Sequence, residues 1–187
     1  MKHLLASAAA LATLLGANAG AAIVSAEADC DITGTNPNGI QCGTNDRRDL
    51  SNVEFSSTGD GDFFSLGLGG SATFEVDPAF NNGGVMIEVT NGSRSNYVET
   101  VTIAVSADNI TFTDIGTFDN SQGLTSFSFN VPGGPFSFIR FTDETTGIPN
   151  GDGFDIDAFS VQAVPVPAAA LLMPLGLAAL ARRKRKA

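Results

Sequence analysis

Asp152, Asp155 and Asp157 fall within one short stretch near the end of a 187-residue chain. In an extended conformation Asp155, Asp157, Phe159 and Val161 share one face, while Phe154, Ile156 and Ala158 share the other. Both faces carry apolar residues, so the apolar phase has to switch near Asp157. With Phe159 and Val161 turned inward, Asp157 sits at the rim of the core, where a carboxylate needs a partner. Calcium, a hard ion that takes six to eight oxygens, would serve, with Asp155 as a second ligand. The same residues also fit a bulge or a solvated strand edge. Asp60-Gly61-Asp62 is a second acidic motif, but it lacks the Asp/Asn, Gly and Glu that complete an EF-hand loop. It reads as a Gly- and Asp-rich turn.

Other chemistry is limited by what the chain omits. The one histidine, His3, lies at the extreme N-terminus, and no lysine occurs between Lys2 and Lys184. Ser-His-Asp and Cys-His catalysis, zinc hydrolysis through His ligands and Schiff-base chemistry are therefore excluded for the central region. A carboxylate pair of glycosidase type remains open, but among twenty acids some pair meets the spacing by chance. Trp is absent, so an aromatic sugar platform would depend on the single Tyr97 or on exposed Phe. We read the domain as non-catalytic. All twenty acids lie between Glu27 and Asp157, against Arg47, Arg48, Arg94 and Arg140, a net charge of −16. Such a surface repels nucleic acid and anionic lipid. It suits divalent cations, or equally the solubility of a secreted protein.

The two ends carry targeting patterns. Residues 1–26 open with Lys2, continue with an apolar run from Leu4 to Leu15 and end in small residues, the layout of a secretory signal. Signal peptidase would fit after Ala19 (Ala17-Asn18-Ala19) or after Ala26 (Val24-Ser25-Ala26). Residues 27–46 follow as a loop segment in which Cys30 and Cys42 enclose eleven Gly-, Asn- and Pro-rich residues. In an oxidising compartment these two thiols are expected to pair, closing a loop worth ~3 kcal/mol in the chain-entropy model. Residues 164–187 form the C-terminal pattern: Val164-Pro165-Val166-Pro167-Ala168, an apolar run to Ala181, and a basic stop of Arg182, Arg183, Lys184, Arg185 and Lys186. The apolar run is short for a full membrane span, and the basic end is of the kind retained in the cytoplasm.

That three-part tail resembles the PEP-CTERM class of bacterial sorting signals in its VPLPA-type variant, with Val166 where Leu is usual. The resemblance implies export across the inner membrane of a Gram-negative bacterium. It also implies a transient membrane hold by a short hydrophobic helix, processing by an exosortase-type enzyme, and a destination in the envelope, cell surface or extracellular matrix.

The elements that must position the acids lie in residues 47–163. Strand candidates are Asn52–Ser56, Phe63–Leu68, Ala72–Val76, Val85–Thr90, Val101–Val105, Ile110–Ile115, Phe127–Val131, Phe136–Phe141 and Phe154–Val161. Turn formers separate them, among them Asn81-Asn82-Gly83-Gly84 and a two-residue hairpin at Asp108-Asn109, both of whose residues tolerate positive φ. Short strands between such turns predict an all-β sandwich or barrel. Three phrases are similar to galactose-binding-like, discoidin-type jelly rolls: Val101–Phe112 (VTIAVSADNITF), Phe136–Asp143 (FSFIRFTD) and Gly151–Val161 (GDGFDIDAFSV). The resemblance implies a two-sheet antiparallel jelly-roll sandwich that binds sugars, lipids or matrix. In its calcium-binding sugar modules an acid of the last strand meets one from the first strand. The matching position is Glu54, which completes an expected calcium set of Asp157, Asp155 and Glu54. The chain is thus expected to bind or structure extracellular polysaccharide.

Overall fold

The computed structural model describes residues 21–29, 49–89, 97–121, 125–146 and 152–164, all within the unit Gly20–Val164. The expected disulfide, the apolar run of the expected signal before residue 21, and the tail from Pro165 onward lie outside the described residues. No helix among the described residues is long and apolar enough to cross a membrane.

The described residues form nine strands: β1 (Ala22–Asp29), β2 (Glu54–Phe55), β3 (Phe64–Ser65), β4 (Ser71–Glu88), β5 (Thr100–Ser106), β6 (Thr113–Asp119), β7 (Ser126–Phe129), β8 (Phe136–Asp143) and β9 (Asp155–Ala163). β4 is long enough to serve two layers. Its first half lies between β1 and β8, and β8 continues to β5 and β6. Its second half lies between β9 and β7, and β2 and β3 join the far side of β9. All pairings are antiparallel except β2 with β9. The layers close on Phe rings: Phe74 of β4 and Phe141 of β8 meet Phe159 of β9 at 5.1 and 5.3 Å between centroids. Phe64, Phe80, Ile103, Ile139, Phe154 and Ile156 are also fully buried. The chain is therefore the all-β sandwich that its alternating runs predict.

The continuity of β4 differs from the expectation of two strands joined by a turn at residues 81–84. The glycines there serve close approach instead. A Cβ on Gly83 would lie 2.0 Å from the Phe129 carbonyl oxygen, and one on Gly84 would lie 1.9 Å from that of Ser160. Gly83 and Gly84 thus let β7 and β9 press against β4 from either side, which no other residue permits. Register shifts between Glu75 and Phe80, and between Phe80 and Gly84, accommodate the passage from one layer to the other.

Two further elements depart from the sequence reading. β1 straddles the boundary placed after residue 26, pairing from Ala22 with Asp77 to Asp29 with Ser71. The hairpin after β5 is longer than two residues, because β6 begins only at Thr113. Asn109 does adopt positive φ, 59°. Asp108 organises the rest of that loop, its carboxylate accepting from the Ile110 and Thr111 N–H groups at 3.0 and 2.9 Å. Those bonds hold its carboxyl below the usual range, the Thr111 N–H most strongly.

Candidate functional site

The phase switch foreseen near Asp157 is a β-bulge. Opposite β4, Ile87 pairs with Ala158 but Glu88 pairs with Ile156, so Asp157 is the extra residue of β9. The bulge lets Ile156 and Phe159 both face the core, where each is fully buried. Asp157 is itself 3% exposed, and the turn after β2 receives its carboxylate. Oδ1 accepts from the Asp60 N–H at 3.2 Å and Oδ2 from the Gly61 N–H at 3.1 Å. Gly59 is required for this contact, since a Cβ there would fall 2.0 Å from Asp157 Oδ2. Burial still pushes the Asp157 carboxyl up, the two N–H groups pulling the other way and the nearby Asp60 and Asp62 charges adding to the rise. The two acidic motifs of the sequence therefore meet, with a turn supplying the partner that calcium was expected to be.

Asp155 goes elsewhere. Its carboxylate accepts from the Ser65 hydroxyl of β3. It converges with Glu99 and Asp152, their ligand oxygens all within 4.8 Å of one another. Asp155 and Glu99 are buried and Asp152 is half-buried. Tyr97 donates its hydroxyl to Asp152 Oδ1 at 2.9 Å and accepts from the Asp152 N–H at 3.2 Å. Burial, then the bond to Asp152, pushes the phenol pKa well up, so Tyr97 is a tether here rather than a sugar platform. Asn120, fully buried, donates to Glu99 Oε2 at 3.1 Å and to Glu88 Oε1 at 2.6 Å. The structure does not bring the expected set of Asp157, Asp155 and Glu54 together. Glu54 is exposed on the two-residue β2, and the bulge separates Asp157 from Asp155. Among the described residues, the donor set that suits a hard cation is Glu99, Asp152 and Asp155. Sequence reading reached only Asp155 as a ligand and noticed Asp152. Glu99, more than fifty positions earlier in the chain, arrives only through the fold.

A second feature occupies the solvent face of the layer β1–β4–β8–β5–β6. Register places Glu27 beside Thr73 and Thr73 beside Arg140, one residue on each of three adjacent strands. Asp29 and Ser71 form the next row. The β5–β6 loop folds Asn109 and Phe112 over this face, and the result is an open pocket of about 340 Å³ lined by all of these residues. Asn109 fastens the loop by donating to Glu27 Oε1 at 3.1 Å. Arg140, half-buried, holds its guanidinium carbon 3.9 Å from the Phe112 ring centroid. Its Nε is buried and has no hydrogen-bond partner. Arg140 is the one basic side chain among the described residues. In the sequence it stood out only as a scarce counter-charge. A loop that crosses from β5 to β1 was not legible there.

No protein-family model matches the chain, and no curated protein matches it. A pectin-binding carbohydrate-binding module of known structure superposes with a TM-score of 0.51, at 12% identity, over 79% of this chain and 96% of its own. The family 32 carbohydrate-binding module of EndoD from Streptococcus pneumoniae gives 0.49 at 11% identity, over 78% and 97% of the two chains. The family 32 module of AlyQ, in complex with 4,5-unsaturated mannuronic acid, gives 0.46 at 15% identity, over 76% and 96%. At 12% identity the likeness to the pectin-binding module speaks for the fold: this chain shares its β-sandwich.

Proposed function

We propose that this chain is an exported, non-catalytic carbohydrate-binding β-sandwich that works in the cell envelope or extracellular polysaccharide matrix. The observation that carries the reading is the pocket on β1, β4 and β8, where a guanidinium held over an aromatic ring stands among carboxylate, hydroxyl and amide side chains. Hydroxyl-rich ligands suit a pocket lined by carboxylates, hydroxyls and an amide. The pectin-binding module with the same sandwich supports the assignment. Export and envelope targeting rest on the N-terminal leader pattern and on the Val164–Ala187 tail, with signal peptidase and an exosortase-type enzyme as processing partners. Calcium, if it is bound, belongs at Glu99, Asp152 and Asp155, where it would fasten β9 to the start of β5 and hold the fold rather than the ligand.

Little apolar area surrounds the pocket, so affinity for a single chain of sugar should be weak, with a Kd on the order of 0.1–1 mM. The test is a panel of isolated polysaccharides and oligosaccharides titrated into the full chain, with release of reducing ends followed in parallel. Saturable binding without new reducing ends is expected. Failure to bind any glycan would leave a purely structural matrix protein, and release of reducing ends would make it a hydrolase.

A further inference from the structure

We infer that the Arg140 pocket takes an uncharged glycan and discriminates against uronate polymers, a step that rests on the carbohydrate reading above. Two carboxylates, Glu27 and Asp29, line the pocket with the Arg140 guanidinium. Among the described residues the lining side chains sum to one negative charge. Glu27 and Arg140 stand on strands either side of β4, in one register row with Thr73 between them. Two strand spacings, about 9–10 Å, separate their backbones, and the pocket of about 340 Å³ that both line has the volume for a pyranose ring. A neutral sugar satisfies both walls at once. Its hydroxyls donate to carboxylate oxygens, which accept several bonds each, and its oxygens accept from the guanidinium.

A uronate fits less well. Its carboxylate would pair with Arg140 while facing two like charges in the same pocket. The surface beyond adds to this, because the stretch from Glu27 to Asp157 carries −16 overall. A polyanion is repelled before it arrives.

The experiment titrates the full chain with size-matched neutral oligosaccharides (mannan-, glucan- and galactan-derived) and with oligogalacturonate and oligoalginate. It is run at 0.15 M salt, where the Debye length of about 8 Å screens distant charge. At least one neutral series should bind more tightly than either uronate. Arg140→Ala should weaken it roughly 10- to 100-fold, the loss typical of a hydrogen bond to a charged group. Glu27→Gln combined with Asp29→Asn, at exposed positions of the edge strand β1, makes the pocket net positive and should raise uronate affinity about tenfold or more. This pair tests the same claim should Arg140→Ala fold poorly by its melting curve. Tighter binding of uronate to the wild type would overturn the inference while leaving the glycan reading intact. So would uronate affinity unmoved by the double change, or neutral binding unmoved in a folded Arg140→Ala. Absence of binding to every oligosaccharide would instead strike the glycan reading itself.

Discussion

Replacing Asp143 by Asn should loosen the frame around the acidic cluster. Asp143 ends β8 and is 2% exposed. Its Oδ2 accepts from the Gly69 N–H at 2.9 Å and the Thr145 N–H at 3.2 Å. Its Oδ1 accepts from the Phe154 N–H at 2.8 Å and the Thr145 hydroxyl at 2.6 Å. One carboxylate thus joins the turn before β4, the segment after β8 and the entry to β9, next to Asp155. An amide in its place has one oxygen. With the NH2 toward Gly69 and Thr145, two buried N–H groups lose their acceptor. With it toward Phe154, one N–H is orphaned, and the Thr145 hydroxyl can turn to accept. The second arrangement costs less: about 1–3 kcal/mol for the orphaned N–H, plus the weakening of two bonds that no longer end on a charge. Relief of the carboxylate's burial offsets part of this, leaving about 2–4 kcal/mol. For a domain of this size that is a fall in Tm of roughly 6–15 °C. The pH dependence supplies a second readout. Burial pushes the Asp143 carboxyl above 3.8 in the folded protein, against its four hydrogen-bond donors. The native state therefore binds more protons here than the unfolded chain, and this group adds stability as pH falls through its folded value. That addition is lost as pH rises. The variant has no such proton, so its deficit against the wild type should widen as pH is lowered from 7 toward about 4. Thermal melts followed by circular dichroism measure both. A Tm loss under about 2 °C, or a deficit that narrows on acidification, would refute the reasoning.

Three further outcomes are expected of the same fold. Calcium at about a hundred times its Kd should stabilise the fold by about 2.7 kcal/mol and raise Tm by roughly 6–12 °C, an effect that chelator reverses. Glu99→Gln or Asp152→Asn should remove it and Asp157→Asn should not; a chelator-insensitive melt would end the metal proposal. Gly84→Ala should cost at least about 3 kcal/mol, since its Cβ would lie 1.9 Å from backbone rather than from a yielding side chain. A soluble Gly84→Ala protein melting within a few degrees of wild type would contradict the close packing of β9 on β4. Mass spectrometry of the exported protein should find Gly20 at the N-terminus, because cleavage after Ala26 would strip Ala22–Ala26 from β1. A mature chain beginning at Glu27 would show that β1 does not belong to the mature fold.

What could be read from the sequence was local. β7 alternates cleanly, as does β5 from Thr100 to Ile103, because there each shows one face to the core and the other outward, and their residues name themselves. Glycine does not. At Gly83 and Gly84 a turn and a close approach of strands look alike in sequence, and only the arrival of β7 and β9 decides between them. β1 was hidden for another reason. Its small and polar residues lie mostly exposed on an edge, so they carry no apolar alternation, and they merge with the small-residue end of the leader pattern.

The acids show the same division most clearly. Some are satisfied within a few residues, as Asp49 and Asp119 are by Ser51 and Ser121, which hold both carboxyls low. Others borrow N–H groups from distant turns, as Asp143 and Asp157 do, and only the phase switch at Asp157 betrayed this in advance. In a domain with so few cations, backbone N–H groups take over much of the work of counter-charge, and each such acid is neutralised where it stands. Glu99, Asp152 and Asp155 are arranged differently: they face one another, and among the described residues Ser65, Tyr97 and Asn120 donate to them. Carboxylates gathered in this way favour a bound cation far more than carboxylates spread over turns. The seam between β9 and the start of β5, rather than the bulge at Asp157, is thus where this acidic sandwich and calcium would be coupled.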